Sequence, residues 1–499
     1  MKTALFLILF VEAIFSSTLH LAISSNPSRI NPILATDSAS GEISSWIFNA
    51  LVKYDKDGNV VPELAKNYYF TDNTTLIFNL RKNVKWSDAK PFNAKDVLFT
   101  YKLITSKKVF TPYADDFKDV KSIKVLNDYQ IEIKYKQPYF KAVEIWMMGL
   151  LPEHLWKNEK NPMTSKLNFK PIGTGPYILK GFEVSKDIRL YANKHYFLHK
   201  PNIDKIVYSF MPDPSTQFLM LKSHKLDVGS ITPLQYERQI DESFKKFYNI
   251  YEMPSHGYTY MGFNLKNKKF KDIKVREALS LAIDRQELSD ILFFGHAKPC
   301  RGPFMPGTFA YNDKVKIPKV NLKKAKKLLK EAGYDKIHPL EFTLTTNSNN
   351  STRVYAAQIL QYQFAKIGVK MKIRTLEWQA FLNTVIAPRK YEAILLGWGL
   401  GLMPDAYSIW HSDSDKPGGF NFVHYHNTQV DTLITMAEKA IDKKTLSKLY
   451  KRIFKLIVQD KPYLFLYIPN AITVVNKKIK NVSPSIVGVM HNEVDWIKP

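Results

Sequence analysis

Residues 61–97 read VPELAKNYYFTDNTTLIFNLRKNVKWSDAKPFNAKDV, and the fold is decided here. From Thr75 to Arg81 the side chains Leu76, Phe78 and Leu80 recur at every second position, the pattern of a strand with one buried face. Asn93 then precedes a run through Asp96, Val97, Phe99 and Tyr101. An amide side chain there accepts from the free N–H groups of a first turn and caps a helix. Residues 120–135 hold two more alternating runs, Ile123 with Val125 and Ile131 with Ile133 and Tyr135, separated by the turn pair Asn127 and Asp128. Strand, capped helix and hairpin in succession predict a mixed α and β chain and exclude a simple repeat.

Toward the N-terminus, residues 19–23 read as a short strand stopped by Asn26, Pro27, Asn31 and Pro32, and a helix is expected over 42–51. Toward the C-terminus, Pro171-Ile-Gly-Thr-Gly-Pro-Tyr177 reads as a turn in which Gly173 and Gly175 supply permissive backbone angles and Pro176 fixes the next one. Strands are expected at 177–182, 188–192 and 206–211. Helices follow at 274–294, at 321–332 closed by Gly333, at 353–367 closed by Gly368, and at 430–458 with a break near Asp442. Further strands are expected at 340–345, 369–375, 393–396, 464–468 and 471–475, so the later half reads as α/β layers.

The chain has 499 residues, 45% of them hydrophobic and 24% charged, which is ordinary globular usage and room for roughly three structural units. The formal net charge is +26, yet the lysines are spread along the chain. Lys323, Lys324, Lys326 and Lys327 cluster on one helix candidate, away from Leu322, Ala325, Leu328 and Leu329. No helix-turn-helix, zinc-finger or ribonucleoprotein motif accompanies the charge, so no nucleic-acid partner is expected. Cys300 is the one cysteine, which excludes an intrachain disulfide, and it lacks any local catalytic signature between Pro299 and Arg301. Neither G-x-S-x-G nor H-E-x-x-H occurs. Lys2, the apolar run 4–11 and small residues up to Ser17 follow the order of a secretory signal, so residues 1–17 are expected to direct export to the periplasm.

Specific motifs then accumulate in order: Val61-Pro-Glu-Leu-Ala65, Val84-Lys-Trp-Ser-Asp88, Pro91-Phe-Asn-Ala-Lys-Asp-Val97, Gly173-Thr-Gly-Pro-Tyr177, Ala282-Ile-Asp-Arg285 and Ala332-Gly-Tyr334. In this combination the chain resembles the extracytoplasmic solute-binding proteins of the peptide and nickel ABC-importer family, peptide-binding type. One departure is Asp88-Ala89, where the family usually has Asp-Gly, which bears on the local turn. The resemblance implies an α/β, two-lobed periplasmic-binding-protein fold of type II, in the large cluster with an extra inserted subdomain. The first lobe would take 18–49, 166–263 and 471–499, the insertion 50–165, and the second lobe 264–470, with hinges near Phe263 and Asn264 and near Asn470. It implies capture of a peptide or other small solute, released unaltered to the membrane permease and ATPase subunits of an ABC importer. The protein would act as a monomer, without enzyme activity and without a cofactor. The alternative within the family is a nickel chelate.

The resemblance also points to a cleft. Gly397-Trp-Gly-Leu-Gly401 does not match a dinucleotide fingerprint, but it places Trp398, Gly399 and Gly401 at the solute, with Asp405 the nearest carboxylate for a peptide's amino terminus. Met253-Pro-Ser-His-Gly-Tyr258 adds His256 and Tyr258. Gly419-Phe-Asn-Phe422 adds Phe422 and Asn421, whose amide can bond ligand or cap its own loop. For the nickel alternative the imidazoles to test are His411 and His491, with His424 and His426 beside them. Asp284 and Arg285 are expected to fix a helix end and its packing, not to touch ligand.

Overall fold

The computed structural model describes residues 17–440 and 442–499. Residues 1–16, nearly all of the expected signal segment 1–17, lie outside the described residues. Among the described residues no helix is long and apolar enough to cross a membrane.

The chain opens on β1 (Thr18–Ile23). A helix follows over Ser38–Ile47, earlier than the expected 42–51, because Asp37 accepts from the Ser40 N–H at 3.0 Å and Phe48 is already extended. β2 (Val52–Tyr54) and β3 (Val60–Pro62) form a small ribbon. β4 (Ala65–Asp72), β5 (Thr75–Leu80), β6 (Val120–Asn127) and β7 (Gln130–Tyr135) make an antiparallel sheet in the order β4-β5-β7-β6. Asn93 caps the helix Ala94–Ile104 as expected, with Asp96 closing the reciprocal capping box. β8 (Tyr177–Glu183), β9 (Asp187–Ala192) and β10 (Lys205–Phe210) return to the start, giving the sheet β1-β10-β9-β8 with β1 and β10 parallel.

Two details of this half differ from expectation for steric reasons. Gly173 and Gly175 do not have positive φ. A Cβ on Gly173 would fall 1.8 Å from the Ile47 carbonyl oxygen, and one on Gly175 would fall 2.5 Å from that of Trp46, so close approach to the helix end is what demands glycine. The departure Asp88-Ala89 leaves an alanine in the left-handed region at φ 70°, in a turn closed by the Trp86 N–H donating to the Lys90 carbonyl at 2.8 Å.

β11 (Val228–Ser230) and β12 (Tyr248–Pro254) follow, and then β13 (Gly257–Phe263). β14 (Ala297–Pro299), β15 (Glu341–Asn347), β16 (Lys370–Leu376), β17 (Ala393–Gly399) and β18 (Tyr463–Asn476) complete a sheet whose path is β11-β18-β13-β17-β15-β16. β18 is one continuous strand, where two were expected. Its first part pairs β13 and β14, and from Asn470 onward it pairs β12. Phe263 pairs Ala393, at the end of β13 far from β12.

The helix expected over 274–294 is two, Ile273–Ala282 and Arg285–Phe293. Asp284 interrupts them in extended conformation, and its carboxylate accepts from the Gln286 and Glu287 N–H groups. Arg285 is buried and donates to the Phe465 carbonyl at 2.7 Å and the Ser280 carbonyl at 3.2 Å. The helices Leu322–Glu331 and Ser351–Ala365 are followed by Gly333 and Gly368, both at positive φ. Thr428–Glu438 and Lys443–Asp460 are separate helices, the second capped by Asp442.

The buried apolar side chains divide the molecule in two. One body is built from residues before Pro254 together with Ile472, Val474, Val475 and Trp496. The other is built from Tyr258 to Ile468. The fold is α/β and two-lobed, and the chain passes between the lobes where β12 gives way to β13 and inside β18.

Candidate functional site

Between the lobes lies a cleft of about 1490 Å³. The first lobe contributes the segment after β1, including Ser24 and Arg29, and the residues around the β4–β7 sheet contribute Tyr54, Asp116, Lys141 and Glu144. The second lobe contributes Arg353, Trp378, Trp398, Phe420 and Phe422. His256, Tyr258, Gly399, Gly401 and Asp405 line the same space, so these sequence-read positions converge.

Trp398 forms an apolar wall at the end of β17. Its ring stacks on Phe422 at 5.3 Å, meets Phe420 edge-on at 5.0 Å, and its Nε1 donates to the Tyr463 hydroxyl at 3.3 Å. Tyr258 turns its ring into the second-lobe core against Phe465, and its hydroxyl has no partner among the described residues. His256 faces the C-terminal segment, its Nε2 lying 2.6 Å from the Ile486 carbonyl oxygen. The two glycines differ in the space around them: a Cβ on Gly399 would meet nothing within 4 Å, whereas one on Gly397 would fall 2.7 Å from an Arg353 guanidinium nitrogen.

Asn421 does not reach the cleft. It is fully buried, donates to the His411 and Tyr425 carbonyls at 3.1 and 2.8 Å and accepts from the Tyr425 N–H, so its amide caps its own loop. The imidazoles are likewise engaged elsewhere. His411 is buried in a stack on Tyr407 at 4.4 Å, and its Nδ1 accepts from the Asp413 N–H. His491 lies 3.3 Å from the Gly488 carbonyl oxygen, outside the cleft lining. His424 and His426 both bond Asp415 at 2.8 Å. Among the described residues no three His, Cys, Asp or Glu side chains converge to hold a metal ion. Cys300 is buried, and burial pushes its thiol up to about 12.

Asp405 is not free. Lys141 Nζ lies 3.1 Å from Asp405 and 2.7 Å from Asp116, while the Ser408 hydroxyl and the Tyr407 N–H also donate to Asp405. Burial works to raise the Asp405 carboxyl, but Lys141 and these donors outweigh it and hold it below the ordinary value. Asp116 is raised, first by burial and then by Asp405, against the pull of Lys141. The ion triad joins the lobes, because Asp116 and Lys141 precede the crossover and Asp405 follows it. Lys118 with Glu438 at 2.7 Å and Lys416 with Asp115 at 2.5 Å do the same. Across the other side, Gln379 donates to the Asn26 carbonyl at 3.0 Å and Asn349 to that of Ser24 at 3.4 Å. The lobes are closed on each other.

The residue that sequence reasoning missed is Arg353. It stands in the first turn of the helix Ser351–Ala365, where a cation opposes the helix dipole, and that misplaced charge was the available signal. One guanidinium nitrogen donates to Asn347 Oδ1 at 3.0 Å, and the buried Nε has no partner among the described residues. Burial lowers its affinity for the proton, and no carboxylate among the described residues pairs with it. A guanidinium at the cleft with a buried, unbonded Nε has the chemistry to take an anionic group.

Comparison with known proteins agrees with this geometry. The family model of bacterial extracellular solute-binding proteins, family 5 Middle, matches residues 59–420. The oligopeptide-binding protein AppA of Bacillus subtilis is 32% identical over 466 residues, covering 89% of this chain and 84% of that one. Its structure with a nonapeptide superimposes with a TM-score of 0.90 at 30% identity, covering 97% of this chain and 99% of that one. NikZ of Campylobacter jejuni in complex with Ni(L-His) superimposes with a TM-score of 0.86 at 30% identity, covering 96% and 99%. With a family match across most of its length and a two-lobed fold closed around a cleft, the chain belongs to the bacterial extracellular solute-binding proteins of family 5.

Proposed function

We propose that this protein captures peptides in the interlobe cleft and delivers them, unaltered, to the permease and ATPase subunits of an ABC importer. The observation that carries the reading is the cleft itself. At about 1490 Å³ it exceeds the roughly 300–1,000 Å³ of sites for drug-sized ligands, and it joins an aromatic wall to a buried guanidinium short of partners. An extended peptide offers side chains to Trp398 and Phe422 and a carboxylate to Arg353. His256, Tyr258, Gly399 and Gly401 contribute backbone and surface to the same wall. Asp405, bonded to Lys141, serves closure and does not take the peptide's amino terminus.

The strand pairing supports crossovers at Ser255 with His256 and at Pro469 with Asn470. The first lies ahead of the Phe263 and Asn264 position read from sequence, because β13 is registered on β17 from Gly257 onward. Residues 50–165 form the inserted subdomain of the first lobe, residues 1–17 direct export to the periplasm, and the protein works there as a monomer.

A second reading is capture of a nickel complex, supported by the similarity to NikZ with Ni(L-His). Mass spectrometry of the ligand that co-purifies with the exported protein tests both, together with thermal shift in peptide mixtures against nickel plus histidine. Peptides in the purified protein and a shift with peptides alone support the proposal. A shift with nickel plus histidine alone replaces it with the second reading.

A further inference from the structure

The hinge side of the molecule sets one histidine between two carboxylates of the opposite lobe. His296 stands on the second lobe, between the helix Arg285–Phe293 and β14. Its Nδ1 lies 2.8 Å from Glu252 on β12, and its Nε2 lies 2.8 Å from Glu237 on the helix Pro233–Arg238. Both carboxylates belong to the first lobe. Asn470, where β18 changes lobes, donates its amide to Glu252 at 2.5 Å and its backbone N–H to the His296 carbonyl at 2.8 Å. Tyr236 meets the imidazole edge-on at 5.1 Å, and Arg238 lies over the neighbouring Phe294 ring at 5.2 Å. Among the described residues Glu237, Glu252 and Tyr236 are thus the titratable groups in contact with His296, and Arg238 faces the adjoining ring.

A neutral imidazole has one N–H and one lone pair, whereas imidazolium has two N–H groups. Between two carboxylates a neutral ring would turn its lone pair on one of them. The arrangement therefore calls for the charged form on stereochemical grounds alone. Consistent with this, burial opposes the charge but Glu252 and Glu237 override it, keeping His296 protonated above the ordinary imidazole range.

The two partners differ in how firmly they are held. Glu252 is on a strand registered with β18 from Tyr248 opposite Asn476 to Pro254 opposite Asn470, so it stays at the hinge whatever the lobe angle. Glu237 is on a short helix of the first lobe, and its separation from His296 follows the angle between the lobes. We propose that His296 is a proton-operated tie at the hinge: charged, it bonds both carboxylates and favours the closed lobes; neutral, it keeps one and lets Glu237 go.

The tie rests on the two-lobed fold and not on the identity of the ligand, so it is tested on ligand-free protein. The His296 ring is followed by NMR from pH 5 to 9, and the radius of gyration by small-angle X-ray scattering over the same range, in the wild type, His296→Gln and Glu237→Gln. The expected results are a midpoint above the roughly 6.5 of a free imidazole, and a radius of gyration that grows as pH rises through that midpoint. In Glu237→Gln, an exposed position whose change leaves packing intact, the midpoint falls and the growth is lost; in His296→Gln the growth is also lost. A wild-type midpoint at or below 6.5, or the same growth of the radius in all three proteins, overturns the proposal and leaves the peptide reading standing.

Discussion

Replacing Lys141 by methionine should weaken ligand binding about a hundredfold. Lys141 reaches Asp116 at 2.7 Å and Asp405 at 3.1 Å, and its side chain is only 11% exposed. Methionine keeps most of the volume and removes the charge, leaving two carboxylates facing each other with no cation between them. Removing one partner of a buried ion pair typically costs about 3–5 kcal/mol. Here Asp116 and Asp405 are 29% and 24% exposed, so water recovers part of the loss and the low end, about 3 kcal/mol, applies. The penalty falls on the closed protein, because opening the lobes separates Asp405 from Asp116 and hydrates both. At about 1.4 kcal/mol per factor of ten, 3 kcal/mol is about two decades in Kd. Calorimetric titration with the peptide recovered from the purified protein measures it. Lys141→Met combined with Asp405→Asn should regain most of the affinity, since the amide oxygen still accepts from the Tyr407 N–H and the amide NH2 can donate to the Ser408 hydroxyl in place of the second carboxylate oxygen. If Lys141→Met binds within twofold of wild type, or if Asp405→Asn does not rescue it, the triad does not set the closing energy.

Three further outcomes are expected. Ala89→Gly should raise stability by roughly 0.5–1 kcal/mol, measured by urea unfolding, because relief of a left-handed alanine at φ 70°, worth about 1–2 kcal/mol, outweighs the roughly 0.5–1 kcal/mol that glycine's greater freedom in the unfolded chain costs. Glu493 is raised to about 7, first by burial, with Lys53 only partly offsetting it, so the folded state holds this proton more tightly than the unfolded state. Its contribution is therefore most favourable below the ordinary carboxyl range and is lost as pH rises to about 7; Glu493→Gln should gain up to about 3 kcal/mol over wild type at pH 8 and nothing at pH 4, by unfolding at the two pH values. Trp398→Ala should weaken binding and also lower the Tm of the empty protein, because the half-buried ring packs on Phe420, Phe422 and Tyr260; about 2–3 kcal/mol is a fair share of what full burial would give. An unchanged Tm would show that the pocket closes over the gap.

What the sequence made legible was local. Asn93 with Asp96, Asp442 before its helix and Gly333 and Gly368 after theirs each act on N–H or C=O groups within a few residues, so their chemistry can be read without knowing the fold. Gly397-Trp-Gly could be placed at a cleft because a motif carries its surroundings with it. The errors share one cause, which is that a side chain's partner was distant in the chain. Asp405 looked like a ligand carboxylate until Lys141, 264 residues earlier, was found on it. Gly173 looked like a turn glycine until the end of the Ser38–Ile47 helix was found against it. Asn421 offered two readings from the same amide, and only the Tyr425 and His411 carbonyls decide between them. Two strand signals around Pro469 were one strand because β12 and β14 abut on it, a pairing no local pattern encodes.

The placement of the charged contacts also says how the lobes share the work of closing. Lys118, Lys141 and Asp115 all reach the second lobe from the segment after the Ala94–Ile104 helix, and Phe140 adds an edge-on contact to Tyr450 at 6.2 Å. On that rim, among the described residues, the first lobe proper offers the carbonyls of Ser24 and Asn26. The residues around the β4–β7 sheet are therefore the jaw that grips, and the β1-β10-β9-β8 sheet is the base that holds it. Partly exposed ion pairs are each worth at most about 1 kcal/mol, so the outer contacts of this grip are too weak to lock an empty cleft, and the buried triad is balanced by its own desolvation. On the proposed reading closure then depends on contacts made inside the cleft, which Trp398 and Arg353 line from one lobe and Arg29 from the other. A grip that is close to neutral by itself lets a bound solute decide the lobe angle, and lets the solute leave once another surface holds the jaws apart.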